Sequence, residues 1–343
     1  VAALLLKNAG YDVTGVTLRL RPDRYMEQCV SGGCCSIDDI DDARRVAYKI
    51  GIEHLVFNFT DIFEETVIDY FVKEYEQGRT PNPCIACNRH VKFNAMMKRA
   101  IELGFDYVAT GHYACIEQNE LGRWLLKKAP AAKDQSYVLY SLTQFQLEHT
   151  LLPLASYTKP QIRAIAQEAG LIVANKPDSQ EICFVPDKDY AGFIERYTGK
   201  KAEPGQFVDE NGTVLGTHKG IAHYTIGQRK GLGISFGEPM FVTKINAEKN
   251  QIVLGKAGSQ YAKQLVAGDI NWISIERLTE PLKATAKTRY QAPPAPAVLL
   301  PMENGLVQVM FDEPQRSITP GQAVVFYDGD TVIGGGTILN NNA

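Results

Sequence analysis

The chain has 343 residues, 45% of them apolar, and a formal net charge of −3. That length accommodates two or three domains of about 100–200 residues each, and no apolar run nears the ~20 residues that span a bilayer as a helix. The charge excludes a broadly basic nucleic-acid coat, so any RNA or DNA contact must use local patches.

Residues 2–9 read as a helix ending at Gly10, a good C′ residue, followed by a strand from Tyr11 to Leu20. In an α/β domain such a helix is the crossover from an earlier parallel strand. The expectation is therefore a fragment truncated just inside its first helix. A loop from Arg21 to Ser36, rich in glycine, cysteine and charge, leads to a helix start at Ser36 and Asp39. Ile37, Ile40, Ala43, Ala47 and Ile50 keep helical spacing up to Gly51. A strand over 53–59, an amphipathic helix over 61–77, a proline-rich cysteine loop, a helix from about 89 to 103 and a buried strand over 106–110 complete a βαβα alternation. This pattern predicts an α/β fold: a Rossmann-like doubly wound parallel sheet. Ligands bind such sheets at the C-terminal strand ends, here Leu18–Leu20, Asn58–Thr60 and Gly111–Tyr113.

Residues 134–185 read as mostly helical, with Thr158, Pro160 and Gly170 framing one helix. After about 187 the turn signals Pro204-Gly205 and Asn211-Gly212 separate short alternating strands. The segment from His223 to Gly233 is basic and glycine-rich, and its Gln228-Arg229-Lys230 reads by itself as a basic turn. From 262 onward, β runs at 285–290, 297–301, 305–311, 323–327 and 331–339 suggest a small β-barrel. The expected domains are 1–186, 187–260 and 261–343: nucleotide-binding, central β-rich and C-terminal barrel.

Seven cysteines, an odd number without the density of a secreted scaffold, fit a reducing compartment and a cytoplasmic enzyme. Two segments carry chemistry. Gly78-Arg79-Thr80-Pro81-Asn82-Pro83-Cys84-Ile85-Ala86-Cys87 places Cys87 just before a helix expected to begin near Asn88, with Arg89 and Lys92 adding positive charge. Such a setting favours the reactive thiolate. Spacing alone leaves metal binding or a structural pair equally open. In Lys176-Pro177-Asp178-Ser179-Gln180-Glu181-Ile182-Cys183-Phe184, Cys183 reads as the end of a polar turn entering a buried strand. It is either core packing or half of a relay in which one cysteine carries a persulfide and the other takes up a disulfide. Cys29, Cys34 and Cys35 read as exposed loop thiols or a second metal cluster, and Cys115 as packing.

These segments resemble the tRNA-specific 2-thiouridylases, ATP pyrophosphatases of the PP-loop type that make wobble 2-thiouridine. The likeness runs from residue 1 to about 340. It includes the cysteine segments, Ala109 to Tyr113, Lys133 to Tyr137, Tyr224 to Gly233, Lys287 to Tyr290 and Thr319 to Gln322. It implies adenylation of a uridine of tRNA by ATP and Mg²⁺, with Cys87 as nucleophile and Cys183 as persulfide carrier. It further implies adenine contacts at Leu18 and Gly111, and target-base contacts at Asn82, Pro83 and Cys84. Other tRNA contacts fall at His112, Lys133, Asp134, Gln135, Arg289, Tyr290 and Gln322. Leu18 and Gly111 read equally as fold residues, and Arg289 with Lys287 as a solvated strand face. Many relatives carry Asp at the position of Cys84, and Cys84, Cys87 and Cys183 together would suit a [4Fe–4S] cluster with one open iron. The family's Ser-Gly-Gly-x-Asp-Ser-Ser phosphate loop is expected before Val1, and without it this stretch should bind ATP poorly and be inactive. The implied partners are glutamate, glutamine and lysine tRNAs and a cysteine desulfurase or sulfur carrier, with no membrane. The rival readings are a catalytically silent RNA-binding homologue and a structural metal site.

Overall fold

The computed structural model describes residues 1–21, 37–130, 133–174, 182–234 and 237–340. The readings on Cys29, Cys34, Cys35 and Ser36, and on the stretch from Lys176 to Glu181, lie outside the described residues. The chain divides into two units, one of Val1–Ile68, Cys84–Lys188 and Asp330–Val332, the other of Asp69–Pro83, Asp189–Gly329 and Ile333–Ala343.

In the first unit, helix α1 (Ala2–Asn8) leads through Gly10, at φ +92°, into strand β1 (Thr14–Arg19). Helix α2 (Ile37–Ile50) returns the chain to β2 (Glu53–Asn58), which pairs parallel to β1 with Leu18 opposite Phe57. A crossover helix is what a parallel pair requires. Asn58 braces the turn into the next helix, its Oδ1 accepting from the Thr60 N–H at 3.2 Å and the Thr60 hydroxyl at 2.6 Å. That helix, α3 (60–76), has a π-helical turn at Glu64–Ile68.

The cysteine helix α4 (83–102) begins earlier than its periodicity suggests. Pro83 opens it, since a helix's first N–H has no partner to lose. Its π-helical stretch Cys87–Ala95 lies between α-helical Pro83–Ala86 and Met96–Glu102. Strand β3 (Val108–Ala109) is shorter than expected and pairs parallel with β6 (Thr150–Leu151). Between them stands a hairpin, β4 (Ala114–Gln118) and β5 (Trp124–Lys128), its turn held by the Asn119 side chain accepting from Leu121 N and Arg123 N. The stretch from 134 to 185, expected to be mostly helical, is interrupted by β6: a 3₁₀ turn at Ser136–Leu139, α5 (Gln144–Glu148) and α6 (Lys159–Glu168) are its helices. Thr158 starts α6 as expected, its N–H donating to Gln161 Oε1 at 2.7 Å. The strand expected after Cys183 is absent. Ile182 to Val185 form a turn closed by Val185 N donating to Ile182 O at 2.9 Å, with Phe184 and Val185 buried and Ile182 half-buried.

In the second unit, residues 69–76 of α3 lay Phe71 and Tyr75 against an aromatic cluster with Tyr190 and Phe193 from helix α7 (Tyr190–Thr198). Tyr197 donates to Asp69 Oδ1 at 2.6 Å. The central sheet has the order β8-β7-β10-β9, built from β7 (Gly205–Val208), β8 (Val214–His218), β9 (Met240–Asn246) and β10 (Gln251–Lys256). Phe207, Ile226, Val242, Ile252 and Leu254 form its core. The remaining strands are β11 (Tyr261–Trp272), β12 (Leu282–Lys287), β13 (Ala295–Pro301), β14 (Val307–Arg316), β15 (Ala323–Asp328) and β16 (Thr331–Asn340). They run in the order β11-β14-β13-β12-β15-β16, and β16 returns to β11, so the barrel closes and leaves no open edge. Leu265, Leu299, Val309, Val324 and Phe326 fill it. Among the described residues no helix is long and apolar enough to cross a membrane.

Candidate active site

The loop from Gly78 to Pro83 is held from several sides within the second unit. Gly78, at φ +71°, ends α3 where an added Cβ would lie 2.7 Å from the Ile245 side chain, so no larger residue fits. Arg79 pairs with Glu74, its Nε donating to Oε2 at 2.7 Å, and this bond holds the guanidinium pKa above its ordinary value. Thr80 N donates to Pro320 O at 2.9 Å, and Gln322 Nε2 donates to Thr80 O at 2.7 Å. Pro81 and Pro83 are buried and Asn82 is half-buried.

Cys84 and Cys87 then stand one turn apart at the start of α4, a spacing that puts them on one side of the helix. Cys84 is exposed and Cys87 buried. Because the helix starts at Pro83, Cys84 rather than Cys87 sits in its first turn, and the expected helix-end argument for Cys87 does not hold. Cys87 instead opens the π-helical stretch, a backbone form concentrated at functional sites. Asn88, buried beside it, donates from Nδ2 to Val138 O at 2.9 Å and ties the helix to the Ser136–Leu139 turn.

Cys183 is half-buried in its turn. The adjoining Phe184 meets Phe63 edge-on at 5.9 Å between ring centroids. The 60–63 turn bearing Phe63 also lies against the π-helical stretch that Cys87 opens. Cys84, Cys87, Cys115 and Cys183 are thiols without a disulfide. Among the described residues no three His, Cys, Asp or Glu side chains converge as a site for a metal ion. The Cys115 thiol is pushed up in pKa by burial and then by Glu117, which suits packing rather than reactivity.

His112 follows β3, with Nδ1 hydrogen-bonded to Thr110 Oγ1 at 2.8 Å and its ring 6.0 Å from Phe93. Burial, with Lys92 second, lowers its pKa to about 3, so it is a neutral imidazole near pH 7 and offers hydrogen bonds rather than charge. Gly111 is exposed and has ordinary φ; an added Cβ would meet only Leu154, at 3.4 Å, which leaves open space beside the strand end. Leu18 is half-buried near the C-terminal end of β1. Asp134 braces its own turn, accepting from Ala129 N at 3.2 Å, Ser136 N at 3.0 Å and the Ser136 hydroxyl at 2.8 Å. Gln135 Oε1 accepts from Tyr113 N at 3.0 Å, and Lys133 stays half-exposed next to them.

In the second unit Arg289 is no solvated strand residue. Its Nη2 donates to Ile226 O at 3.1 Å, Ser317 O at 2.9 Å and Thr319 Oγ1 at 2.6 Å. Lys287 lies over the Tyr290 ring at 5.9 Å. The Gln228 turn is braced too, with Oε1 accepting from Thr225 N and Nε2 donating to Lys230 O, both at 3.0 Å, so Arg229 and Lys230 project from a fixed backbone. Sequence reasoning missed Asn88 and Phe63. An Asn directly after Cys87 was the one available signal for the first; nothing marked the second.

An α/β layer, a central four-stranded sheet and a closed β-barrel, with two cysteines at the start of a helix, define a mixed α/β protein with two β-rich parts. Residues 1–187 match a family model described as tRNA methyl transferase HUP domain, 191–256 the tRNA methyl transferase PRC-barrel domain and 262–338 the aminomethyltransferase beta-barrel domain. The chain is 57% identical over 341 residues to the tRNA-specific 2-thiouridylase MnmA of Acetivibrio thermocellus, covering 98% of this chain and 95% of that protein. The enzymes of the same name from Clostridioides difficile and Halothermothrix orenii are 57% and 52% identical, over 98% and 99% of this chain and 94% and 96% of their own lengths. The chain belongs to the tRNA-specific 2-thiouridylase family.

Proposed function

We propose that the protein is a tRNA-uridine 2-sulfurtransferase that uses ATP to convert the wobble uridine of glutamate, glutamine and lysine tRNAs to 2-thiouridine in the cytoplasm. What supports this reading is membership of the 2-thiouridylase family, together with the thiols of Cys87 and Cys183 that a sulfur relay would need. ATP, entering with Mg²⁺, adenylates the uridine O2 with loss of pyrophosphate, because a carbonyl oxygen is otherwise a poor leaving group. A cysteine desulfurase or sulfur carrier loads the Cys183 thiol as a persulfide. The terminal persulfide sulfur attacks C2, the C2–O bond breaks and AMP leaves. The Cys87 thiolate then attacks the Cys183 sulfur, releasing 2-thiouridine and leaving a Cys87–Cys183 disulfide, which a cellular dithiol returns to two thiols.

In this reading 1–186 binds nucleotide, with Leu18 and Gly111 against adenine, while 187–260 and 261–343 support the tRNA. Asn82, Pro83 and Cys84 surround the flipped uridine. Neutral His112, Lys133, Asp134, Gln135 and Tyr290 face the tRNA. Family resemblance adds Arg289 and Gln322, whose side chains are turned inward. The persulfide relay needs no [4Fe–4S] cluster, since Cys183 carries the sulfur and Cys87 releases it. The complete gene product should form 2-thiouridine in transcribed tRNA, with AMP and pyrophosphate in equal amount, when given ATP, Mg²⁺ and a desulfurase with cysteine. Unmodified tRNA under those conditions would contradict the proposal.

A further inference from the structure

We propose that Asn88 and Gln146 are positioning residues for Cys87: the bonds of their two carboxamides hold the cysteine helix in a π-helical register, and that register sets the angle at which Cys87 leaves the helix relative to the later buried residues. The register is explicit in the backbone, where Met96 N donates to Val91 O, five positions back. A π turn takes about one residue more than the ~3.6 of an α turn, so it swings everything after it by roughly 100° about the axis. The burial pattern follows the wider repeat. Asn88 and Phe93, five apart, are both buried, whereas Lys92, four from Asn88, is half-exposed and Asn94 exposed. An α register would bring Lys92 into line with Asn88, onto the side that Phe93 fills. It would also rotate Cys87 against Met97 and Ala100, the buried residues of the last turns.

A register this uncommon persists where outside groups satisfy the backbone it displaces. Both ends of the stretch are tied to one segment of the same unit. At the first end Asn88 Nδ2 donates to Val138 O at 2.9 Å. Its Oδ1 is buried and has no hydrogen bond among the described residues, a cost that an apolar side chain would not carry. At the far end Gln146 Nε2 donates to Phe93 O at 2.6 Å. Gln146 is itself braced. Its Oε1 accepts from Thr143 N at 3.0 Å in the capping box that opens α5, and its backbone O accepts from the Thr150 hydroxyl of β6 at 2.6 Å. Strand β6 pairs with β3, which leads to His112. The cysteine helix is thus pinned to a sheet of its own unit, and small misplacement of a nucleophile is costly in rate.

The consequence for catalysis rests on the thiouridylase reading of Cys87; control of its register is testable without it. Gln146→Glu is the sharpest probe, because a carboxylate keeps the capping-box acceptor for Thr143 N and loses the donor to Phe93 O. Gln146→Met and Asn88→Ala remove a donor without adding charge. Thr143→Ala weakens the same cap while leaving the Phe93 bond. In the complete gene product, iodoacetamide alkylation of Cys87, tRNA affinity and single-turnover thiolation at saturating tRNA should be compared. We expect the three donor variants to alkylate Cys87 about tenfold faster than wild type, the scale of one lost hydrogen bond, with Cys115 unchanged. Thiolation should slow about tenfold or more while tRNA affinity stays within about twofold. Thr143→Ala should alkylate Cys87 at the wild-type rate. Wild-type alkylation of Cys87 in all three donor variants would overturn the proposal. So would an equal rise in Thr143→Ala, which would trace the effect to lost stability, or a loss of tRNA affinity in step with the rate, which would make it one of binding. Faster alkylation of Cys87 in the donor variants with no thiolation by any protein, wild type included, would leave the positioning standing and refute the assigned reaction.

Discussion

His112 shows how one side chain's surroundings limit what it can do. Its imidazole is held neutral by burial and by Lys92, with the pKa lowered to about 3, so protonation favours the unfolded chain. The sign follows: the unfolded state binds the proton as pH falls through about 6.5, and stability declines from there toward pH 3. His112 should therefore make the protein about 1.4 kcal/mol less stable at pH 5.5 than at pH 7.5. Denaturant unfolding of wild type and His112→Gln at the two pH values isolates that share; an equal pH loss in both proteins would refute it. The thiols differ in the same local way. Exposed Cys84 should be alkylated at least tenfold faster than Cys115, whose thiol is held protonated by burial. Peptide mass spectrometry after brief iodoacetamide treatment reads the ratio, and equal rates would contradict the assigned environments.

At the scale of elements, the buried Asn88 amide is the link between the cysteine helix and the turn that follows Gln135. Asn88→Ala leaves the Val138 carbonyl without that donor and should cost about 1–3 kcal/mol. Phe326 is fully buried in the barrel, and Phe326→Ala should cost about 3–5 kcal/mol. Urea titration checks both. Elements with strong periodicity or punctuation were legible in the sequence. Thr158 and Pro160 marked α6, and alternation marked most of the barrel strands. The β4–β5 hairpin was not legible, because Ala114 to Lys128 mixes apolar and charged residues without clean alternation and its turn depends on one Asn side chain. The start of α4 was hidden by reading Pro83 as a loop residue rather than a first helical one. The cysteines and the motif residues of the site were visible as residue types. The inward roles of Arg289 and Gln322 were not, because each depends on partners tens to hundreds of positions away.

At the scale of the molecule, a net charge of −3 means that the tRNA of the proposed reaction would have to be met by localised cations. Arg229 and Lys230, exposed on a braced turn, suit phosphate contact. Replacing both by Ala should reduce the slope of log affinity against log salt by about 1–2 and weaken all tRNAs alike. An unchanged slope would remove the turn from the interface. The account depends most on the division of labour between activation by ATP and sulfur delivery by Cys183. A single-turnover experiment with Cys183→Ser in the complete gene product, following pyrophosphate release and 2-thiouridine together, tests it directly. The account predicts ATP- and tRNA-dependent pyrophosphate release with no 2-thiouridine formed; 2-thiouridine at the wild-type level would contradict it.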